Sequence, residues 1–323
     1  MVKKRLQCVD AGSEYCPCYL AETNDCITCS ILQGKDFCDC NWRGTCIYQE
    51  YVWNGNKRKE SRDYLKCKIE KNTQISNNSF LLKIKVTKTL ARLLKEPGSY
   101  VFLRGINLPQ HFDMPMSVLD ADDIKGYIKI AYQVLGPKTK RLNISQNQVM
   151  VKGPYWNGLL GVKNIKVTKS SNCLLIARGI AQAPIALLAK KLLKRDNNVT
   201  FILDEGNLKS NFIEKELKNY DIKIIKKDLM KEENNIFIKK QLLNNNYQLI
   251  SIGGSDLLQS FIIRIVDDFK LNADIVVTNN NEICCGEGVC GACTTYLEDG
   301  TPVKTCKTQL EARKTIERRI NID

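Results

Sequence analysis

Cysteine placement constrains this chain more than any other feature of its sequence. Of fifteen cysteines in 323 residues, eight lie between Cys8 and Cys46 and five between Cys284 and Cys306, leaving only Cys67 and Cys173 in the long interval between. A segment so rich in thiols and so poor in aliphatic residues cannot build a useful hydrophobic core. Metal must therefore supply much of its folding energy. With His111 as the single histidine, any metal site is nearly all sulfur. Thiols in this number fit a reducing compartment, which excludes both secreted disulfide scaffolds and histidine-rich zinc enzymes. No run approaches the roughly 18 apolar residues of a membrane helix, and the basic start at residues 1–5 has no apolar stretch behind it. A soluble, cytoplasmic protein is expected.

The formal charge of +14 invites a nucleic-acid partner. The lysines, however, are spread along the whole chain, and the densest run, residues 57–71, is interrupted by Glu60, Asp63 and Glu70. That pattern reads as a solvated linker or strand face, so neither a nucleic acid nor a membrane is an expected partner.

Between the cysteine-rich segments the periodicity changes once. Short apolar or alternating runs at 80–86, 100–103, 127–134 and 148–151, separated by Pro97-Gly98, Leu108-Pro109 and Gly136-Pro137, predict a small antiparallel barrel. Farther on, strand-like runs at 173–177, 199–203, 222–225, 247–252 and 273–278 alternate with helical ones at 184–195, 208–219, 232–244 and 255–270. This is the pattern of a doubly wound parallel sheet. The expected organisation is α+β and multidomain: a metal-binding module at 1–60, the barrel at 61–153, the α/β domain at 154–281 and a second metal module at 282–323.

In that last module Cys285, Cys290, Cys293 and Cys306 read C-x4-C-x2-C-x12-C, the plant-type spacing of a [2Fe–2S] cluster. Gly286, Gly288, Gly291 and Ala292 are small enough for the backbone N–H groups to approach the sulfurs. A four-cysteine zinc site is the alternative, although zinc sites usually use paired short spacings. Cys284 is read as a bystander.

Five further motifs precede the cluster: Pro97-Gly98-Ser99-Tyr100-Val101; Met114-Pro115-Met116-Ser117-Val118; Tyr132-Gln133-Val134-Leu135-Gly136 with Thr139; Gly153-Pro154-Tyr155-Trp156-Asn157-Gly158; and Gly179-Ile180-Ala181-Gln182-Ala183-Pro184. In this order they resemble a family of ferredoxin-reductase-like electron-transfer proteins. Its members are the iron–sulfur electron-transfer subunit of clostridial-type dihydroorotate dehydrogenase and the small subunits of sulfide dehydrogenase and NADH-dependent ferredoxin:NADP oxidoreductase. The resemblance covers roughly residues 67–306.

The resemblance implies that the barrel binds FAD, that the parallel sheet is an NAD-binding-like domain, and that a redox partner or catalytic subunit exchanges electrons with the chain. It carries Pro115, Ser117, Tyr132 and Val134 over as residues along the flavin, and Gly136 and Thr139 as a turn meeting its pyrophosphate. Gly179 and Asp204 become the candidates for a nicotinamide nucleotide, Asp204 by accepting ribose hydroxyls. Three departures stand out. Met114 occupies the place of a flavin-binding arginine, removing a charge-assisted phosphate contact. Arg178 and Ala181 crowd a turn where relatives have glycines, and the family's later C-G-P is Gly253-Gly254-Ser255. The last two argue against ordinary hydride transfer from NAD(P)H.

The N-terminal cysteines Cys8, Cys16, Cys18, Cys26, Cys29, Cys38, Cys40 and Cys46 suffice for two four-thiolate sites. Their spacings do not distinguish iron–sulfur clusters from zinc, and a redox-active or metal-free thiol module is the third reading. Trp42, Tyr48, Tyr51 and Trp53 are placed to shield such a site, to face a partner or to pack the module against its neighbour. The functional expectation is an oxidoreductase of the electron-transfer type, passing electrons through FAD and the [2Fe–2S] cluster between a partner and a low-potential carrier or nicotinamide. The alternatives are a degenerate reductase fold serving as a metal-stabilised binding or redox-sensing module and, further off, a zinc-stabilised nucleic-acid binder.

Overall fold

Alternating apolar residues between positions 64 and 155 close into a six-stranded antiparallel barrel. The structure is a computed structural model that describes residues 6–142 and 147–320; the basic start at residues 1–5 lies outside them. The barrel strands are β1 (Tyr64–Ser76), β2 (Ser79–Lys85), β3 (Tyr100–Arg104), β4 (Met114–Asp122), β5 (Tyr127–Gln133) and β6 (Gln148–Tyr155), in the order β1-β2-β5-β4-β3-β6. In the register of β2 on β5, Leu82 faces Ile130 and Ile84 faces Ile128, all four fully buried. The two-residue repeat of the strands thus sends one set of side chains inward. β1 begins inside the charged run: Cys67 and Ile69 join the barrel core, and Lys66, Lys68 and Lys71 around them are exposed.

The second half is the expected parallel sheet. Its strands are β7 (Leu159–Leu160), β8 (Asn172–Arg178), β9 (Asn198–Asp204), β10 (Lys223–Lys226), β11 (Leu249–Gly253) and β12 (Asp274–Thr278), in the order β10-β9-β8-β11-β12-β7. Only β7, at one edge, runs antiparallel to its neighbour. All of β11 and residues 173–177 of β8 are buried, as strands covered on both faces must be. The helix Gln182–Leu193 belongs to the core on one face; Asp256–Asp268 and the last helix, Ala312–Ile320, share the core on the other.

One helix is much shorter than its pattern predicts. Over 208–219 the structure has a single turn, Glu214–Leu217. Lys209 adopts a left-handed conformation (φ 49°) that interrupts a helix, and the Asn211 side chain accepts a hydrogen bond from the Glu214 N–H at 3.2 Å, starting the chain afresh. Phe212 and Ile213 are buried without helical continuation.

The chain divides into two compact units. One combines the residues up to Tyr64 with Asn281–Leu310; the other comprises Leu65–Asn280 and the residues from Glu311 onward. The first unit contains the hairpin β13 (Thr294–Tyr296) and β14 (Pro302–Lys304) and short helices at Tyr19–Glu22 and Ile47–Trp53. Among the described residues, no helix is long and apolar enough to cross a membrane.

Candidate functional site

Within the first unit, Cys285 and Cys290 lie on one loop, Cys293 at its exit, and Cys306 just after β14. The loop depends on left-handed glycines. Gly288 has φ +80°, and a Cβ there would sit 3.0 Å from Leu20 and 3.3 Å from Lys307. Backbone donors already face the sulfurs: the Glu287 N–H donates to Cys285 Sγ at 3.3 Å, and the Cys306 N–H to Cys293 Sγ at 3.4 Å. The Cys306 thiol hydrogen-bonds to both Cys285 and Cys293, which holds those two well below the ordinary thiol range and holds the Cys306 proton tightly. Burial pushes Cys290 up, and its hydrogen bond to Cys285 pushes it the same way. Cys284 is exposed.

The arrangement suits a binuclear cluster in donor chemistry, with four sulfurs, small residues and inward N–H groups. Among the described residues, no group of three or more His, Cys, Asp or Glu side chains is set to hold a metal ion. These sulfurs instead approach one another pairwise.

The N-terminal cysteines serve as this unit's core. Cys16 and Cys29 are buried with Ala21, Leu32 and Ile47, and Cys26, Trp42 and Tyr51 pack against them. Trp42 anchors the segment by donating from Nε1 to the Thr45 carbonyl at 2.9 Å, whereas Tyr48 and Trp53 are exposed. Cys38 and Cys46 are also exposed.

Beside these cysteines lies a charged cluster that no motif announced. Arg62 is 4% exposed, Asp10 2% and Lys307 0%. Arg62 donates to Asp10 at 2.9 Å and pairs with Glu287 at 3.3 Å; Lys307 bonds Asp10 and pairs with Glu287 at 3.2 Å. The Arg62 guanidinium also lies 4.0 Å from the centre of the Tyr15 ring. Burial alone would raise the Asp10 carboxyl, but Lys307 and Arg62 outweigh it and hold it below its usual range. Burial would likewise lower Lys307, and Asp10 with Glu287 raises it instead. Two positive and two negative groups thus compensate one another, three of them buried and Glu287 partly exposed.

In the second unit, a cavity of ≈ 590 Å³ opens on the barrel. Among its lining residues are Asn72, Phe80, Tyr132, Val134, Thr139 and Arg141. Phe80 and Tyr132 stack at 5.5 Å, forming an aromatic wall, and burial pushes the Tyr132 hydroxyl up to about 12. Of the residues carried over for the flavin, Tyr132, Val134 and Thr139 line this cavity, whereas Pro115, Ser117 and Gly136 are not among its lining. Pro115 and Ser117 pair with Phe102 and Tyr100 across β3 and β4. The Thr139 hydroxyl accepts from the Gly136 N–H at 3.1 Å and closes the turn itself. Met114 is buried in the barrel core, so the cations at the cavity are Lys140 and Arg141 instead. The volume, the ring-sized wall and a cationic rim fit a flavin nucleotide.

At the ends of the parallel strands, Gly179 takes φ +59° at the turn after β8. Asp204, 4% exposed, accepts from Arg178 Nε at 2.8 Å, from the Gly206 N–H at 2.7 Å and from the Leu229 N–H at 2.9 Å. Its oxygens are therefore engaged within the protein. At Gly253 an added Cβ would meet Ile185 at 2.6 Å, a physical reason why no cysteine stands there.

Comparison with known proteins follows this architecture. No family model matches the chain. A Fusobacterium nucleatum protein named dihydroorotate dehydrogenase B (NAD(+)), electron transfer subunit, is 27% identical over 241 residues, covering 70% of this chain and 87% of its own length. The protein of the same name from Clostridium acetobutylicum is 25% identical over 246 residues, covering 74% and 91%. Among solved structures, the NADH-dependent reduced ferredoxin–NADP oxidoreductase superposes with a TM-score of 0.63 at 18% identity, over 80% of this chain and 93% of that one.

Proposed function

We propose that the chain is a ferredoxin-reductase-like electron-transfer protein, as its similarity to the electron transfer subunits supports, and that it carries electrons between a low-potential donor and a catalytic partner subunit. FAD binds in the barrel cavity, and Cys285, Cys290, Cys293 and Cys306 hold a [2Fe–2S] cluster. The observation that carries this reading is the loop of Cys285, Cys290 and Cys293, where three left-handed glycines and backbone N–H groups face the sulfurs and Cys306 hydrogen-bonds to Cys285 and Cys293. When bound, the two groups supply the step between two-electron and one-electron chemistry. The chain's own residues position and insulate them. Phe80 and Tyr132 offer a flat apolar wall, Lys140 and Arg141 offset phosphate charge in place of the missing arginine, and the N–H···S bonds lower the charge density on the thiolates.

The relatives' names support electron transfer over a redox-inert binding module. Fifteen free cysteines support a cytoplasmic setting. At the nucleotide turn, Arg178 engages Asp204 where a ribose would need it, so reduction by NADH is expected to be slow beside reduction by dithionite.

The test is anaerobic purification followed by flavin and iron analysis and electron paramagnetic resonance of the dithionite-reduced protein. One FAD and a [2Fe–2S] signal are expected, lost in Cys306→Ser and kept in Cys284→Ser. An unchanged signal in Cys306→Ser would overturn the assignment, and rapid flavin bleaching by NADH would show that Arg178 yields to the nucleotide.

A further inference from the structure

Spacing alone groups the N-terminal cysteines by proximity, which makes Cys16, Cys18, Cys26 and Cys29 the natural first set. The folded unit groups them differently. A small cavity, ≈ 20 Å³, is lined by Cys8, Cys16, Cys18 and Cys26, with Asp10, Leu20, Ile27 and Ile47 among the remaining wall residues.

The backbone explains the division. The Cys29 N–H donates to Cys26 Sγ at 3.4 Å, closing the turn on one sulfur while Cys29 itself is held by donors from Ile31 and Leu32. Cys8 is brought in from the far side of the segment by two long-range restraints. Its N–H donates to Thr28 Oγ1 at 3.0 Å, and it bridges to Thr308, with Val9 N–H donating to the Lys307 carbonyl at 2.8 Å. The four-cysteine cavity therefore abuts the segment that carries Cys306.

We propose that Cys8, Cys16, Cys18 and Cys26 are the four thiolate ligands of one iron–sulfur centre, distinct from the C-terminal cluster and seated beside it. The donor set is all sulfur, as such centres require, and the apolar wall keeps it dry. Binding draws the sulfurs together and so is coupled to the folding of this unit. Iron is favoured over zinc by position. A redox centre on the segment that bridges to Thr308, two residues beyond Cys306, would be placed to exchange single electrons with a cluster held there, whereas zinc in the same place could not. The buried quartet of Asp10, Arg62, Glu287 and Lys307 ties Asp10, two residues from Cys8, to Lys307, which follows Cys306.

The inference rests on the chain being an iron–sulfur electron carrier, and one set of samples separates the two. Protein isolated anaerobically from iron-replete cells is analysed for iron, zinc and flavin, and its reduced paramagnetic resonance spectrum is recorded. Serine in place of Cys8, Cys16, Cys18 or Cys26 should remove the same second iron–sulfur signal and its share of the iron while FAD and the C-terminal [2Fe–2S] signal persist. Cys29→Ser should leave that second signal in place. If Cys8→Ser still assembles the centre through its oxygen, the g values should shift, and Cys29→Ser should not shift them. The proposal is overturned if Cys29→Ser rather than Cys8→Ser removes or perturbs the centre, if zinc fills the site, or if no metal exceeds that of the C-terminal cluster. Loss of only the C-terminal signal and FAD in the parent protein would instead sink the wider electron-carrier reading and leave this site standing.

Discussion

The two compact units solve the same folding problem with different materials. The barrel and parallel sheet bury Leu, Ile, Val and Phe in three extensive clusters, from Leu82 and Ile130 in the barrel to Ile176 and Phe201 in the sheet. The cysteine-rich unit has one small cluster at its N-terminal end, and two of its five members are Cys16 and Cys29. In place of a core it has thiols and a compensated set of four charges. Apolar burial stabilises through area and needs no partner of defined geometry. A thiolate set or a buried ion pair stabilises only when complete. One unit should therefore lose stability in increments and the other all at once.

The largest effect expected from this contrast is on metal removal. Chelation of iron under reducing conditions should unfold the cysteine-rich unit while the other keeps its structure, seen in hydrogen exchange as full loss of protection over residues 6–64 and 281–310 alone. Uniform loss across both units would break the comparison. Next in size is Lys307→Met, which removes one of the cations paired with Asp10 and Glu287. Removing one member of such a buried network costs about 3–5 kcal/mol, read as an earlier denaturation midpoint for the cysteine-rich unit with flavin release unmoved.

The converse variant, Ile176→Ala in the centre of the parallel sheet, should cost about 2–5 kcal/mol through lost burial and a cavity. Its midpoint should not respond to added iron, and a response would tie the two units together energetically. The smallest effect is expected at Lys191, whose pair with Glu96 at 2.9 Å is 35% and 53% exposed on its two sides. Lys191→Ala should shift thermal unfolding by less than about 1 kcal/mol, and less still in high salt.

Much of the second unit was legible because its information is local. Two-residue alternation marks β2 and β5, and apolar runs between helices mark β8, β9, β11 and β12. Where local signals competed, the reading missed. The helical pattern of 208–219 conceals the left-handed Lys209 that ends any helix there, whereas the charged run at 57–71, read as a solvated linker or strand face, does contain the start of β1 with only Cys67 and Ile69 buried in its first half. At the barrel cavity, Tyr132, Val134 and Thr139 were anticipated, but Phe80, Lys140 and Arg141 were not, since a wall made by neighbouring strands has no signature along one of them.

By itself, the sequence determined the C-terminal cysteine spacing, the order of barrel before parallel sheet, and the need of the first segment for something other than a hydrophobic core. All three are matters of neighbours along the chain, where spacing and periodicity translate directly into geometry. Tertiary structure alone decided which cysteines share a cavity, which charges compensate Asp10, and that Asp204 is occupied. Cys8 meets Thr308, Asp10 meets Lys307 across 297 positions, and Asp204 meets Leu229 across 25. Such contacts form because the whole unit closes over groups that cannot be left alone out of water, and no local pattern records which distant residue will arrive to satisfy them.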